Sequence, residues 1–228
     1  MMPVLAGVLG GGVAVDYTLR VDPLLAANAA LAGATIYDSG ADWISVGRVY
    51  VVDTSTGTVS IENGRIKFAG TNSWLSTGIC GADLHTWGTP GRITKFKHTT
   101  TTSWSNTATV FGHRNATNGV DIAYLYGFAP HSIGEAISLY ENGSNVATPA
   151  GSLGITYTFA LVEKPIGYDF YLKGGTQYPE WTKVRAGSAG TVNYAAMFAT
   201  YRGTGYLDYL AVTSSAHTEI TAALLDSI

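Results

Sequence analysis

The sequence predicts an all-β protein in which two antiparallel sheets pack face to face, and three observations support this. Charged residues make up only 13% of the 228 residues, roughly half the share of an average globular chain, and 28 residues are glycine. Apolar and aromatic side chains recur at every second position over many short segments, as in strands with one buried face. Asn-Gly pairs, a strong hairpin signal, separate several of these segments. Together these features exclude a helical bundle and a disordered chain.

The N-terminal region differs from the rest. Residues 1–15 are apolar and contain four glycines, so we expect them to pack against another chain or against the back of their own domain rather than face water. After them, Asp22 and Pro23 are suited to the start of a helix and Gly33 to its end, which predicts a short helix over residues 23–32.

The clearest hairpin runs from Thr58 to Ala69, where apolar residues alternate on both sides of Asn63-Gly64. The same pair recurs at 118–119 and 142–143. Further alternating rows predict strands over residues 120–128, 155–161, 168–172, 194–198 and 206–213. About a dozen short strands of this kind favour a single two-sheet domain.

A second helix is predicted near residues 216–226, with Ile220, Ala223 and Leu224 on one face. The chain is therefore divided into an N-terminal assembly segment with its helix (1–33), a β-sandwich (34–213) and a helical tail (214–228).

Charge and cysteine content exclude several function classes. The net charge is −3 and the 13 Lys and Arg residues are scattered, so the cationic track that a nucleic-acid-binding protein needs is missing. The densest basic group, Arg92, Lys95, Lys97 and His98, is predicted to lie on a solvated strand face. One cysteine, Cys80, excludes an internal disulfide and a cysteine-based zinc cluster, and no apolar run is long enough for a transmembrane helix.

The order of three segments resembles concanavalin A-like lectin/glucanase domains, including laminin-G-like modules. DSGADWISVGRVYVV and GTVSIENGRIKFAG resemble their opening strands and hairpin, SLYENGSNVA resembles their central hairpin, and GYLDYLAVT resembles their closing strand. The similarity covers about residues 35–213. It implies an antiparallel jelly roll with a convex and a concave sheet, of the kind found in tail fibres, adhesins and capsid decorations of tailed phages.

Catalysis is not predicted. Glycoside hydrolysis needs two carboxyl groups about 5 to 10 Å apart, and the glucanase branch of the family takes them from one Glu-x-Asp-x-Glu strand. The six glutamates of this chain are isolated from one another, and no G-x-S-x-G nucleophile motif is present. We therefore expect a non-enzymatic protein, although a catalytic arrangement formed only in space stays open.

Glycan binding is the site hypothesis with the best physical basis, because pyranose rings stack on aromatic planes and their hydroxyls bond to polar side chains. Two segments place large aromatics in predicted loops. The candidate residues are Asp83, His85 and Trp87 in the first and Tyr178 and Trp181 in the second. For each tryptophan, packing over the core is the alternative. No cofactor or metal site is predicted, but the resemblance allows calcium at the sheet rim.

These observations predict a non-enzymatic structural protein of the virion surface, a capsid decoration or tail fibre, that displays a lectin-like domain. Its predicted partners are other virion subunits, further copies of itself in a homo-oligomer, and a cell-surface glycan, with no nucleic acid and no membrane span. The alternatives are a carbohydrate-binding module or glycoside hydrolase of the same fold, and an adhesin on the surface of a bacterial cell.

Overall fold

The computed structural model describes residues 17–21, 35–36, 50–53, 57–71, 77–81, 85–86, 89–103, 109–114, 124–131, 136–141, 144–187, 193–200, 202–214 and 216–228. These residues form antiparallel strands and one short helix, which confirms the all-β prediction. In chain order the elements are β1 (Tyr17–Val21), β2 (Thr35–Ile36), β3 (Tyr50–Asp53), β4 (Gly57–Glu62), β5 (Arg65–Thr71), β6 (Thr77–Gly81), β7 (His85–Thr86), β8 (Ile93–Ser103), β9 (Thr109–Arg114), β10 (Tyr124–His131), β11 (Ala136–Glu141), β12 (Ser144–Ala147), β13 (Thr156–Glu163), β14 (Tyr168–Gly174), β15 (Tyr178–Gly187), β16 (Asn193–Thr200), β17 (Arg202–Thr213) and α1 (Ala222–Ser227).

Within the described residues the strands form two sheets. Sheet one has the order β15-β14-β13-β8-β17-β5-β4-β2, and β1 also pairs with β17. Sheet two has the order β12-β11-β10-β9-β16-β6-β3, and β7 pairs with β16. Strands β8 and β17 of sheet one approach β9 of sheet two, so the sheets pack face to face as a sandwich.

The predicted Asn-Gly hairpin is confirmed. Strands β4 and β5 pair antiparallel up to Glu62 and Arg65, and the two residues between them have positive φ values, 53° for Asn63 and 71° for Gly64. Positive φ at both positions matches the right-handed twist of the flanking strands. Strands β11 and β12 likewise pair on either side of residues 142–143, whereas residues 115–123, with the pair at 118–119, lie outside the described residues.

The inward side of sheet one forms the main core. Its side chains are large, aromatic or branched, and nearly all are completely buried: Ile66, Phe68, Phe96, Tyr157, Phe159, Leu161, Tyr168, Phe170, Leu172, Leu207 and Leu210. All except Phe96 come from the strand segments that the sequence analysis singled out, as expected for strands with one buried face.

The C-terminal helix covers part of the opposite, outward side of sheet one. It is shorter than the predicted 216–226, because the Thr221 side chain accepts a hydrogen bond from the Leu224 amide (3.1 Å) and caps a helix that begins only at Ala222. The predicted face is also wrong in part, since Ala223 is exposed. The side chains that pack on this side are Leu224, Leu225 and Ile228, against Ile93, Ala160, Val162 and Ala211.

Part of the N-terminal predictions falls outside the described residues, namely residues 1–15 and the helix over 23–32. Between them, Tyr17–Val21 is a strand of sheet one that pairs with the last strand, from Tyr17 opposite Thr213 to Val21 opposite Leu210. This strand lies within the predicted segment 1–33, so that segment contributes to the sandwich.

The basic group at 92–98 does not share one solvated face, which corrects the prediction. Strand alternation turns Lys95 and Lys97 outward from sheet one and turns His98 into the core, where it stacks on Phe159 at 5.0 Å between ring centroids. Arg92 lies beside Glu163, with 3.9 Å between Nη1 and Oε1.

Candidate functional site

The first predicted glycan segment is only partly described. Asp83 and Trp87 lie outside the described residues. His85 is the first residue of β7 and pairs with Tyr194 of β16, but the position of its side chain is not described. The glycan-binding role of these three residues therefore stays a prediction.

The second predicted segment lies in a strand rather than in a turn. The chain reverses at residues 175–177, where Gly174 and Gly175 have positive φ values of 139° and 63°, and Tyr178 already pairs with Gly174. Both Tyr178 and Trp181 therefore belong to β15, the edge strand of sheet one. Because the two glycines adopt these positive φ values, the turn is short, and the aromatic residues that follow it are already paired within the sheet.

Trp181 holds the C-terminal helix. Its ring packs against the outward cluster of sheet one, and its indole N–H donates to Asp226 Oδ1 at 2.9 Å. The Lys173 ammonium also donates to Asp226. Burial opposes ionisation of Asp226, but these two hydrogen bonds, together with the charges of Lys173 and Lys95, outweigh it and hold the pKa of the carboxyl below its usual range. Trp181 thus packs over the outward side of the sheet, as the alternative considered for it expects, and its glycan-binding role stays a prediction.

Tyr178 is on the other side of the same strand. Its phenol lies near Tyr157 and takes part in a hydrogen bond with the Ala150 backbone, and burial raises the pKa of the phenol. Tyr157 accepts a hydrogen bond from the Ser152 amide (2.9 Å). Tyr178 and Trp181 therefore do not form one stacking surface.

The structure reveals a surface that the sequence analysis did not propose. We call it the open face, the outward side of sheet one that α1 leaves uncovered. It consists of Arg65, Lys67, Lys97, Thr99, Thr156, Thr158, Lys173, Tyr206, Asp208 and Tyr209. All are partly exposed except Thr99, which is buried.

The strand register arranges these side chains in two rows across the sheet. One row is Lys67, Tyr206, Thr99 and Thr156, and the other is Tyr209, Lys97, Thr158 and Lys173. Each spans four strands about 4.8 Å apart, or about 14 Å from end to end. Phenol rings, hydroxyls and ammonium groups thus stand side by side over an extended surface.

A β-bulge in β17 adds to this surface. Leu207 pairs with His98 and Tyr209 pairs with Lys97, so two residues, Asp208 and Tyr209, lie opposite one residue of β8. Leu207 and Leu210 on either side are both buried. The bulge therefore turns two consecutive side chains outward, the kind of local rearrangement that often re-aims side chains at functional sites.

Hydrogen bonds order one end of the open face. Arg65 Nη2 donates to Thr99 Oγ1 (2.6 Å) and to Asp208 Oδ2 (2.7 Å), and its guanidinium lies 5.0 Å from the centroid of the Tyr206 ring. Thr99 Oγ1 is also 2.7 Å from Thr156 Oγ1. Lys67 donates to Glu62 at 2.7 Å, and this hydrogen bond raises the pKa of the Lys67 ammonium. These groups are positioned before any ligand arrives.

The described residues contain no group of three His, Cys, Asp or Glu side chains that could hold a metal ion. This part of the chain therefore offers no ligand set for the calcium that the resemblance allows, because calcium takes six to eight oxygens. No helix in the described part is long and apolar enough to cross a bilayer.

Neither a protein-family model nor a curated protein sequence matches the chain, but solved structures do. The calcium-bound exoplasmic/lumenal domain of VIP36 matches with a TM-score of 0.57 at 8% identity, over 85% of this chain and 93% of that one. Peanut lectin matches with a TM-score of 0.54 at 11% identity, over 81% and 99% of the two chains. Trypanosoma rangeli sialidase matches with a TM-score of 0.56 at 11% identity, over 98% of this chain and 35% of that one.

The chain has the concanavalin A-like lectin/glucanase fold. The family resemblance found in the sequence is thereby confirmed at the level of the fold. Within this concanavalin A-like domain, the open face is on the side of sheet one that faces away from sheet two, and α1 borders it.

Proposed function

We propose that this chain is a non-catalytic glycan-binding module displayed on the surface of a virion, as a capsid decoration or part of a tail fibre. The observation that carries the glycan-binding part is the open face, an accessible sheet surface in which hydrogen bonds order threonine hydroxyls and the Arg65 guanidinium beside the ring of Tyr206. The lectin-like fold supports the same proposal.

The chemistry of the open face suits a sugar. A pyranose ring has an apolar C–H side, which packs on an aromatic ring, and an edge of hydroxyls that exchange hydrogen bonds. Tyr206 and Tyr209 supply rings with a polar tip, and Thr156 and Thr158 supply hydroxyls that act as both donor and acceptor. A flat surface of this kind accommodates an extended oligosaccharide rather than a deeply buried small molecule.

Changing Tyr209 to Ala is expected to weaken glycan binding by about twofold to tenfold, because stacking on an aromatic ring contributes about 0.5 to 1.5 kcal/mol beyond the buried area. The measurement is a glycan array followed by titration calorimetry with the strongest ligand. Ile166→Ala, in an exposed turn between β13 and β14, is the control and should bind like the parent chain. Unchanged binding in Tyr209→Ala, with loss in Trp87→Ala, would move the site from the open face to the 83–87 segment.

A glycoside hydrolase of the same fold is the second candidate, which the likeness to the sialidase favours. Hydrolysis requires two carboxyl groups about 5 to 10 Å apart and available to the sugar. On the open face Asp208 is bound by Arg65, and Glu62 at its rim is bound by Lys67, each at 2.7 Å. Mass analysis of the same incubated glycans separates the two candidates, since only a hydrolase releases smaller sugars.

The virion location rests on the resemblance of this low-charge, glycine-rich chain to virion proteins of tailed phages, and the proposed anchor is the apolar, glycine-rich segment 1–15. Removing these residues is expected to leave a folded domain, because the cut precedes the first strand of the described part, Tyr17–Val21, but a domain that has lost its anchor and no longer forms the homo-oligomer. Sedimentation gives the oligomeric state and circular dichroism the strand content. A truncated chain that still assembles like the full chain would rule out the proposed anchor. A bacterial surface adhesin is the alternative location for the same module.

A further inference from the structure

The charge balance of the open face differs from that of the whole chain. Four cations lie on this surface: Arg65, Lys67, Lys97 and Lys173. Three of these cations each bind a different carboxylate, Glu62, Asp208 or Asp226, at 2.7 to 2.9 Å, and the charge of Glu180 on β15 also acts on Lys173. Lys95 lies buried beside Tyr209, so carboxylates do not outnumber cations at this surface, although the chain as a whole has a net charge of −3.

Lys97 is the cation of the open face that is bound by none of these carboxylates. Its ammonium group forms no ion pair or hydrogen bond with any residue in the described part of the chain. The side chain is partly exposed and stands in the middle of the sheet, between Tyr209 of β17 and Thr158 of β13. A half-buried cation without a counter-ion, held among hydroxyls and a phenol ring, is a place where an anionic group of a ligand gains a charge-assisted hydrogen bond.

The neighbours of Lys97 complete a site for an anion on a sugar. Thr158 lies between Lys97 and Lys173 in the same row, so a carboxylate or sulfate above Thr158 would meet a hydroxyl between two ammonium groups. The bulge in β17 places Tyr209 directly beside Lys97, where a sugar ring could stack. The cations are too few for a nucleic acid, whose phosphates need a continuous basic track.

We infer that the open face binds an acidic oligosaccharide, with Lys97 as the central contact to its carboxylate or sulfate groups. This inference rests on the proposed glycan-binding function and names the class of glycan. Raising the salt concentration should weaken binding, because the central contact is between charges on a partly exposed surface.

The test uses the full chain and two oligosaccharides of equal length, oligogalacturonate and its neutral counterpart, oligogalactose. The parent chain should bind the acidic oligomer at least tenfold more tightly. Lys97→Gln should lose at least tenfold in affinity for the acidic oligomer, whereas Lys97→Arg, which keeps the charge, should stay within about threefold. Lys164→Gln is the matched control, because it removes the same charge from the turn after β13, where Lys164 pairs with Asp169.

The outcomes separate this inference from the proposed function. Equal affinity for the acidic and neutral oligomers, or full affinity in Lys97→Gln, would overturn the acidic preference and leave glycan binding intact. An equal loss in Lys164→Gln would also overturn it, since the effect would then be one of net charge. If the chain bound neither these oligomers nor any glycan on the array, both proposals would be wrong. Thermal unfolding of the two Lys97 variants, expected to match the parent, shows that their changes in affinity are not losses of fold.

Discussion

Replacing His98 with phenylalanine is expected to make the protein markedly more stable in acid. His98 is only 1% exposed and stacks on Phe159, and burial, with a smaller contribution from the Arg65 charge, lowers the pKa of its imidazole to about 3. The unfolded chain takes up a proton at this histidine below about pH 6.5 while the folded chain does not. Stability is therefore fully present above pH 6.5 and is lost as the pH falls towards 3, at about 1.4 kcal/mol per pH unit and about 5 kcal/mol in all.

Urea unfolding of the parent chain and of His98→Phe at pH 7.5 and pH 4.5 measures this effect. Between these two values the parent should lose roughly 3 kcal/mol more than the variant. The carboxylates titrate in both proteins, so the difference isolates the histidine. His217→Phe, at a partly exposed position, is the control and should keep the acid sensitivity of the parent. Identical pH dependence in His98→Phe and the parent would mean that the imidazole is not buried in its neutral form.

The sequence predicted the fold because the evidence for it is local. Alternating rows such as Tyr157, Phe159 and Leu161 are buried on one side of a strand, and Asn63-Gly64 adopts the positive φ values that a tight hairpin requires. The C-terminal helix was placed too early because Ser214 and Ser215 resemble caps as closely as Thr221 does. Only the hydrogen bond from the Leu224 amide distinguishes Thr221 as the cap.

The open face was not predicted because it is made by pairing between distant strands. Lys97, Thr158 and Tyr209 are 51 to 112 residues apart in the sequence, and only the register of β8 with β13 and β17 places them in one row. A partial signal was present in GYLDYLAVT, where Tyr206 and Asp208 alternate with the apolar Leu207. The bulge that turns both Asp208 and Tyr209 outward has no such signal, because it adds one residue to a pattern that otherwise reads as regular alternation.

The C-terminal helix leads to the second large prediction, that Leu225→Ala destabilises the whole domain by about 3 kcal/mol. Leu225 is 1% exposed and packs on the outward side of sheet one with Ile93, Ala160 and Val162. Its carbonyl also accepts a hydrogen bond from Lys95, which is 3% exposed. The ammonium of Lys95 lies 5.6 Å from the centroid of the Trp181 ring and 5.2 Å from that of Tyr209. A cavity beneath α1 would therefore weaken the contacts of a buried cation as well as apolar packing.

Urea unfolding at neutral pH measures the loss, with Leu153→Ala as the control because Leu153 is 40% exposed and should cost no more than about 0.5 kcal/mol. Tryptophan fluorescence, with Trp181→Phe used to subtract the other four tryptophans, adds a local reading, since loosening of α1 would free the Trp181 indole from Asp226 and shift its emission to the red. It would also release Lys173 from the same carboxylate, so Leu225→Ala should alter salt-dependent binding at the open face while Leu153→Ala leaves it unchanged. Equal stability of the two variants would mean that packing of α1 on the sheet does not stabilise the domain. The position of α1 beside the open face would then not be held by this packing.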